Sequence, residues 1–343
     1  MKILKYIAIR MILAVVFLFA MNLLYLYTFW KDDINKHADT LENLWVVPLE
    51  SDAIYFGESS NFTTVDGDIR EVRISELVDE KLPNLSVATV DNAGLHAGTY
   101  LSLLKNKPVE MDLKFVVITM NYRSFGANWR YAPFENYLSK LDVMIEPGIP
   151  ILNKFLISLK QYDYKSEEAR TKEMMDAWRN EKFNIPEFDY NNVVEWDSAM
   201  AWKTWVNENL NLTEENIPLA CHYVKNYAIA IDTLKNERIQ DFNAIIELGK
   251  RDGYAVVLNL LAENTEEAQK LVGKELIYLM EKNRELLVNY YTRKGITIVD
   301  NFYNVSDSCF RDRDWPTEHY NFVGREIIAE NIKKAIIENE LHN

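Results

Sequence analysis

The sequence predicts an α/β protein: a parallel β-sheet flanked by helices, with a helical aromatic-rich insertion and one N-terminal transmembrane helix. Three observations lead to this prediction. Short apolar runs alternate with helical stretches, which is typical of parallel strands joined by crossover helices. Residues 11–30 form an uncharged apolar stretch, and a long aromatic-rich segment separates the third predicted strand from the fourth.

Composition limits the classes of protein to which the chain can belong. Its 343 residues, 48% of them hydrophobic, suffice for one large domain with an insertion. The formal net charge of -14 argues against nucleic acid as a partner, because binding phosphates requires an excess of Lys and Arg. Cys221 and Cys309 form no Cys-x-x-Cys pair, so no zinc or redox motif is indicated. Whether they form a disulfide or remain buried thiols depends on their separation in the fold.

Residues 11–30 are predicted to be a membrane anchor. Their length matches the roughly 20 residues needed to cross the hydrocarbon core, and Asn22 is their one polar amide. The stretch is longer than a signal-peptide core and no Ala-x-Ala-like site follows it, so we expect the anchor to stay uncleaved. Three basic residues precede it, whereas the two lysines that follow are balanced by two aspartates. This asymmetry predicts a single-pass protein of the cytoplasmic membrane, with its N-terminus inside and its main domain extracytoplasmic.

Residues 31–50 are predicted to connect the anchor to the domain. Three strands follow, and each ends in a loop rich in small or polar residues. Because parallel strands place their carboxyl ends at one edge of the sheet, these loops should lie together. The predicted strands are Asp52–Phe56, Ser86–Val90 and Phe115–Thr119.

Residues 125–248 are predicted to form the helical insertion. Helices are expected at Ile151–Leu159, at Glu167–Arg179 and at Ala220–Leu248, where Gly249 would end the last one. Aromatic residues at this density can line a sugar- or acyl-binding groove, but most are expected to fill the insertion's own core. The tryptophans of this segment are Trp129, Trp178, Trp196, Trp202 and Trp205.

The sheet is predicted to resume at Tyr254–Leu261 and to end at Gly295–Asp300, with a helix over Thr265–Tyr291 between these strands. A last amphipathic helix is expected at Val323–Leu341. His319 lies in the loop that enters this helix. Three carboxylates precede it nearby: Asp312, Asp314 and Glu318.

Ser59 follows the first strand in the sequence Gly57-Glu58-Ser59-Ser60, which suits either a helix cap or a nucleophile at the edge of the sheet. Serine hydrolysis requires a nucleophile, a base, a group that orients the base and N–H donors for the oxyanion. Ser59 and His319 supply the first two, and His319 is the one histidine in the sequence with such a set of partners. No spacing of ligands indicates a metal, and no cofactor is expected.

Four segments in order resemble the SGNH, or GDSL-like, hydrolase superfamily. Gly57–Ser59 is similar to its Gly-Asp-Ser block with Glu in place of Asp, and Thr119–Asn121 is similar to its Gly-x-Asn block with Thr in place of Gly. Asn92–Thr99 is similar to the second block and His319–Arg325 to the last. The resemblance implies a flavodoxin-like three-layer fold. Its two parts would be residues 51–124 and 249–343.

The resemblance also implies roles for individual residues. Ser59 would be the nucleophile and His319 the base. The oxyanion would be bound by the Ser59 N–H, the backbone at Ala97 and Gly98, and the side-chain amide of Asn121.

The acid is the position where the chain departs from the family. The family usually has Asp three residues before the histidine, and Pro316 stands there. Asp314 is the first candidate for the acid, and Asp312 and Glu318 are alternatives. A Ser-His dyad oriented by a backbone carbonyl is a further alternative.

An N-terminal span followed by such a domain resembles the proteins of lipoteichoic-acid D-alanylation and alginate acetylation. That resemblance implies acyl transfer or ester hydrolysis on an O-acylated cell-envelope glycan, together with a membrane-bound O-acyltransferase partner. Two alternatives are a non-catalytic envelope assembly or binding protein that retains the fold, and a general anchored esterase or lipase. Pro316 at the usual acid position favours the non-catalytic alternative.

Overall fold

The computed structural model describes residues 2–64, 67–202 and 212–342, so that Trp205 lies outside the described residues. Five parallel strands form one sheet in the order β2-β1-β3-β4-β5, which is the flavodoxin-like order. The predicted fold class is therefore confirmed, and each predicted strand is present within a few residues of its expected bounds. The strands are β1 (Ala53–Gly57), β2 (Val87–Asp91), β3 (Phe115–Met120), β4 (Ala255–Leu260) and β5 (Thr297–Asp300).

Helices cover both faces of this sheet. Those of the first third of the chain are α1 (Lys2–Thr28), α2 (Trp30–His37), α3 (Asp39–Trp45), α4 (Ser59–Phe62), α5 (Ile74–Lys81) and α6 (Ala97–Lys105). The predicted insertion and its end contain α7 (Ala127–Arg130), α8 (Glu135–Ile145), α9 (Pro150–Ser158), α10 (Glu167–Asn180), α11 (Val193–Ala201), α12 (Ile217–Tyr227) and α13 (Glu237–Asp252). The last three helices are α14 (Thr265–Leu271), α15 (Lys274–Thr292) and α16 (Phe322–His342).

The sheet lies between two apolar cores because successive side chains of a strand point to opposite faces. On β1, Ile54 and Phe56 pack into the core that contains α6, α13 and α15. Ala53 and Tyr55 pack into the other core, against α5 and α16. All five residues of β1 are buried, which explains why this strand is an unbroken apolar run.

Two long helices predicted from the sequence are each two helices in the structure. The stretch Ala220–Leu248 contains α12 and α13, because Asn236 caps a new helix by accepting a hydrogen bond from the Arg238 N–H. Helix α13 passes through Gly249 and ends at Gly253, whose φ of 87° favours glycine. The stretch Thr265–Tyr291 is interrupted at Gly273, where φ is 112°.

Tryptophans of the insertion largely fill its own core, as expected. Trp178 and Trp196 are buried, and Trp196 contacts Phe183 and Phe188 edge-to-face. Trp202, in contrast, is exposed. The exception that bears on function is Trp129, which lines a cavity described below.

Helix α1 contains a segment, Ile3–Thr28, that is long and apolar enough to cross a bilayer by length and composition. Within its most apolar part no residue is buried against the rest of the chain. Its C-terminal part contacts α2 and α9, so the apolar helix and the domain are joined by packing as well as by the chain.

Candidate active site

Ser59 lies at the carboxyl end of β1, at the first position of the short helix α4. Gly57 allows the tight turn, because a Cβ there would come within 2.8 Å of Asn61 Cβ. Glu58 caps α4 by accepting a hydrogen bond from the Ser60 N–H. In a sheet of this strand order the crevice lies between β1 and β3, and Ser59 stands beside it.

A continuous hydrogen-bonded chain joins Ser59, His319 and Asp312. His319 Nε2 lies 3.0 Å from Ser59 Oγ, and His319 Nδ1 lies 2.8 Å from Asp312 Oδ2. Thr317 Oγ1 donates to the same carboxylate oxygen and so helps to fix it. Ser59 and His319 are only partly buried, which leaves the nucleophile accessible to a substrate.

The carboxylate that bonds His319 is Asp312, and the expectation of Asp314 is corrected. The loop that contains these residues is closed at its base by antiparallel pairing of Phe310 with Tyr320, and the Arg311 N–H donates to the His319 carbonyl at 2.9 Å. This pairing brings Asp312 beside the imidazole. Asp314 lies farther out in the loop and is exposed to solvent.

Glu318, the other alternative, is buried and bonds other partners than His319. Arg123 makes a two-fold ion pair with it, of which the Nε–Oε1 contact is 2.6 Å, and Asn121 Nδ2 donates to Oε2 at 2.8 Å. Burial alone would raise the pKa of Glu318, but the Arg123 charge and these hydrogen bonds hold that pKa below its usual value. Glu318 is therefore an ionised structural group that connects the histidine loop to the end of β3.

A second buried carboxylate, Glu263, lies in the same cluster. Tyr227 OH donates to Glu263 Oε2 at 2.7 Å and lies 3.3 Å from Glu318 Oε1. Burial and the nearby charge of Glu318 raise the pKa of Glu263 well above its usual value, so the environment favours the neutral form of this carboxyl group.

Glu58 is a further polar partner of the nucleophile, and sequence reasoning gave it no role. Its side chain is buried, and Ser59 Oγ donates to Glu58 Oε2 at 2.9 Å. The single proton of the serine hydroxyl therefore has two acceptors within reach, this carboxylate and His319 Nε2. The one feature of the sequence that could have indicated this contact is that Glu58 directly precedes Ser59.

The candidate oxyanion donors differ in whether their N–H groups already have a hydrogen-bond acceptor. The Gly98 N–H donates to His96 Nδ1 at 3.1 Å and is thereby engaged, which contradicts its expected role as a free donor. Ala97 occupies the first position of α6, where a backbone N–H has no acceptor within the helix. Asn121 is buried at the end of β3 and uses one of its two amide hydrogens for Glu318. The oxyanion roles of Ala97 and Asn121 remain predictions.

A cavity of about 360 Å³ is lined by Arg123 and Trp315, among other residues, but not by Ser59, His319 or Asp312 themselves. Arg123 connects it to Glu318, and Trp315 belongs to the same loop as Asp312. Arg123 also stacks on Trp129, with its guanidinium carbon 5.2 Å from the ring centre. The wall combines aromatic rings with polar groups: Trp129, Tyr131, Phe134 and Trp315 with Asn128, Glu167, Arg170 and Asn226.

Neither cysteine belongs to the hydrogen-bonded chain of Ser59, His319 and Asp312. Cys221 and Cys309 are both buried free thiols. In the part of the chain that the structure describes, no group of three or more His, Cys, Asp or Glu side chains is placed to hold a metal ion.

Comparison with known proteins gives weak structural likenesses. No protein-family model matches the chain, and no curated protein matches its sequence. Among solved structures, an acetylxylan esterase from Geobacillus stearothermophilus is 8% identical with a TM-score of 0.38, over 84% of this chain and 94% of that one. A GDSL-like lipase from Bacteroides thetaiotaomicron is 10% identical with a TM-score of 0.36, over 91% and 98%. A lipase/acylhydrolase from Enterococcus faecalis is 12% identical with a TM-score of 0.35, over 84% and 96%. Likeness at this level assigns no reaction to the chain.

Proposed function

We propose that the protein is a membrane-anchored, extracytoplasmic serine esterase or O-acyltransferase of the SGNH type that acts on an O-acylated cell-envelope glycan. The observation that carries the proposal is the hydrogen-bonded chain from Ser59 through His319 to Asp312. The nucleophile comes from the end of β1, and the base and the orienting acid come from the loop before α16. Serine acyl chemistry uses these three roles together.

In the first half of the reaction Ser59 Oγ attacks the ester carbonyl while His319 Nε2 takes the hydroxyl proton. Asp312 keeps the remaining N–H of the imidazole on Nδ1 and stabilises the imidazolium. The tetrahedral oxyanion would be held by the Ser59 and Ala97 N–H groups and by the free amide hydrogen of Asn121. His319 then returns its proton to the departing alkoxide, which leaves as a free hydroxyl, and Ser59 carries the acyl group.

In the second half a water molecule or a sugar hydroxyl attacks the acyl-serine. His319 removes a proton from that nucleophile and gives it to Ser59 Oγ as the acyl–oxygen bond breaks. Water yields a free acid, and a sugar hydroxyl yields a new ester. The residues near Ser59 serve both outcomes equally, so hydrolysis and transfer are both retained in the proposal.

The aromatic cavity, which shares Trp315 with the loop of Asp312, supports a glycan as substrate. Sugar rings present apolar faces that stack on aromatic side chains and hydroxyls that bond to amides, carboxylates and guanidinium groups. Trp129, Tyr131 and Trp315 supply the first kind of contact, and Asn128 and Glu167 supply the second. A purely apolar wall would have favoured a lipid ester instead.

The apolar helix α1 supports a single-pass anchor in the cytoplasmic membrane with the domain outside. For the transfer outcome, the proposal includes a membrane-bound O-acyltransferase partner that supplies the acyl group. The non-catalytic alternative was favoured by Pro316 at the usual acid position. Asp312 supplies a carboxylate to His319 from another position, which removes that support.

A fluorophosphonate probe tests the proposal on the full chain in membranes. Wild type should be labelled, and Ser59→Ala should abolish labelling. Ser60→Ala is the matched control, because Ser60 is the adjacent buried serine and its hydroxyl has no hydrogen-bond partner among the described residues. Labelling that survives Ser59→Ala, or is absent from wild type, contradicts the proposal. Loss or gain of acylated glycan in cells with Ser59→Ala then separates transfer from hydrolysis.

A further inference from the structure

Helix α9 presents an apolar face to solvent. Its residues Leu152, Phe155 and Leu156, with Ile149 before it and Leu159 after it, are between 40 and 57% exposed. Positions 152, 155, 156 and 159 follow the spacing of one helical face. A contiguous row of large exposed apolar side chains marks an interaction surface.

The opposite side of α9 fastens it to the domain. Asn153 Nδ2 donates to the carbonyls of Met144 and Glu146, and Ile157 is buried. Lys154 Nζ lies 2.6 Å from Asp33 Oδ1 on α2. These contacts hold α9 so that its apolar face turns away from the domain.

Helix α9 also lies against the apolar helix α1. Asn22 Oδ1 accepts a hydrogen bond of 3.1 Å from the Ile151 N–H at the start of α9. Asn22 lies six residues before the end of α1 at Thr28, which corresponds to about 9 Å along a helix axis. The start of α9 therefore lies beside the apolar helix α1, where Leu23 and Leu24 of α1 remain exposed.

Polar groups that suit a membrane interface stand at the end of α9. Lys160 Nζ lies 4.1 Å from the centre of the Tyr164 ring, and Tyr164 is exposed. Tyrosine and lysine are the side chains that place an apolar part at the acyl-chain boundary and a polar tip among the headgroups.

We propose that α9 is an interfacial membrane helix, whose apolar face is buried among the lipid acyl chains of the outer leaflet beside α1. The inference rests on the proposed single-span anchor, and its occupant is lipid. Two attachment points, one spanning and one lying in the interface, constrain the tilt of the domain more than the spanning helix alone does. The site around Ser59 is thereby held at a constant height and direction above the bilayer.

Site-specific labelling of the full chain tests this assignment. In a background with Cys221→Ala and Cys309→Ala, Leu156→Cys carries an environment-sensitive fluorophore, and Phe155→Cys is a second labelled variant. Glu247→Cys is the control, because the Glu247 side chain is 72% exposed on α13. The labelled chains are reconstituted without other proteins in phosphatidylglycerol–phosphatidylethanolamine vesicles, with and without lipid that bears a nitroxide on its acyl chain.

The Leu156 and Phe155 labels should emit at shorter wavelength in vesicles than the control label and should be quenched by the acyl-chain nitroxide, whereas the control should not. Emission and quenching equal to the control overturn the proposal, and would leave a protein partner as the occupant of this face. Flotation of the vesicles tests the anchor itself. A chain that does not float with the vesicles is not anchored by α1, and this result also overturns the proposal for α9. The measurement does not depend on catalysis, so the Ser59→Ala variant should give the same emission and quenching. Failure of the proposed enzymatic reaction can therefore be distinguished from failure of membrane contact by α9.

Discussion

Asp312 and Asp314 differ by two positions in the sequence, and only the first of them bonds the imidazole of His319. The distinction is set by hydrogen bonds across the base of the loop rather than by sequence spacing. A pattern that places the acid three residues before the histidine therefore finds Pro316 and fails, although a suitable carboxylate is present. Ser59 and His319 were predictable because each lies at the junction of a strand or a helix with a loop.

Asp312→Asn should lower the rate of probe labelling or ester turnover by about 10- to 100-fold, because the imidazole loses its orienting charge. The lower part of the usual range is expected, since the Asp312 side chain is 41% exposed and water screens its charge. Asp314→Asn is the matched control and should leave the rate near that of wild type. Initial rates of fluorophosphonate labelling measure both variants, and equal losses in the two would refute the assignment of Asp312.

Glu58→Gln should increase the labelling rate of Ser59. The carboxylate competes with His319 for the hydroxyl proton and places negative charge beside the oxygen that must become nucleophilic. Weakening one competing hydrogen bond is worth about 1 kcal/mol, or about five-fold in rate. Labelling kinetics at fixed pH measure the effect, and a slower Gln variant of unchanged melting temperature would instead make Glu58 a required positioning residue.

At the scale of elements, the buried Arg123–Glu318 pair joins the end of β3 to the loop that carries His319. The partners are separated by 195 residues, so no local pattern could indicate the contact. The sequence did predict the strands, because a run of apolar residues buried on both faces is a local signal. It failed between α12 and α13, where residues 228–236 are not helical and Asn236 caps a new helix.

Arg123→Ala should destabilise the protein by about 3 to 5 kcal/mol, because Glu318 is left as a buried unpaired charge. Activity should fall together with stability, since Glu318 is adjacent to His319. Arg70→Ala is a control for loss of an ion pair: Arg70 and Glu80 are 45 and 48% exposed, so water screens the pair and little loss of stability is expected. Chemical denaturation in detergent measures both, and similar losses for the two variants would show that the buried pair has no special role.

At the scale of the whole molecule, ionisable groups buried between α6, α8 and α13 couple the stability of the fold to pH. Burial lowers the pKa of His96 to about 4, with a further contribution from the charge of Arg238. Burial raises the pKa of Asp142 to about 7 and that of Asp241 to about 6. Arg238 lies between these carboxylates and Glu135, and it bonds Glu135 at 2.7 Å.

The two kinds of group act with opposite sign. The pKa of Asp142 is higher in the folded chain than in the unfolded one, so its contribution to stability is present at acidic pH and is lost as the pH rises from about 4 through about 7. The pKa of His96 is lower in the folded chain, so stability is lost as the pH falls from about 6.5 towards 4.

Asp142→Asn should therefore stabilise the protein relative to wild type, by an amount that grows between about pH 4 and pH 7 and is then constant. One pKa unit corresponds to about 1.4 kcal/mol, so the gain at neutral pH is of the order of a few kcal/mol. Melting temperatures of the full chain in detergent across this pH range measure the difference. A difference that does not change with pH would contradict the raised pKa of Asp142.

The sequence by itself determined the parallel α/β architecture, the apolar N-terminal helix, and the positions of Ser59 and His319. Each of these depends on local features: apolar runs, their length, and the turn that ends a strand. Parallel topology then brings strand ends together whatever the loops contain.

Only the tertiary structure decided which carboxylate bonds His319, that the Gly98 N–H is already engaged, and which face of α9 stays uncovered. These features depend on contacts between residues far apart in the chain, such as Arg123 with Glu318 and Asn22 with Ile151. The physical reason is that the hydrogen bonds and burial of a side chain depend on its neighbours in space, and these neighbours are brought together only by folding of the whole chain.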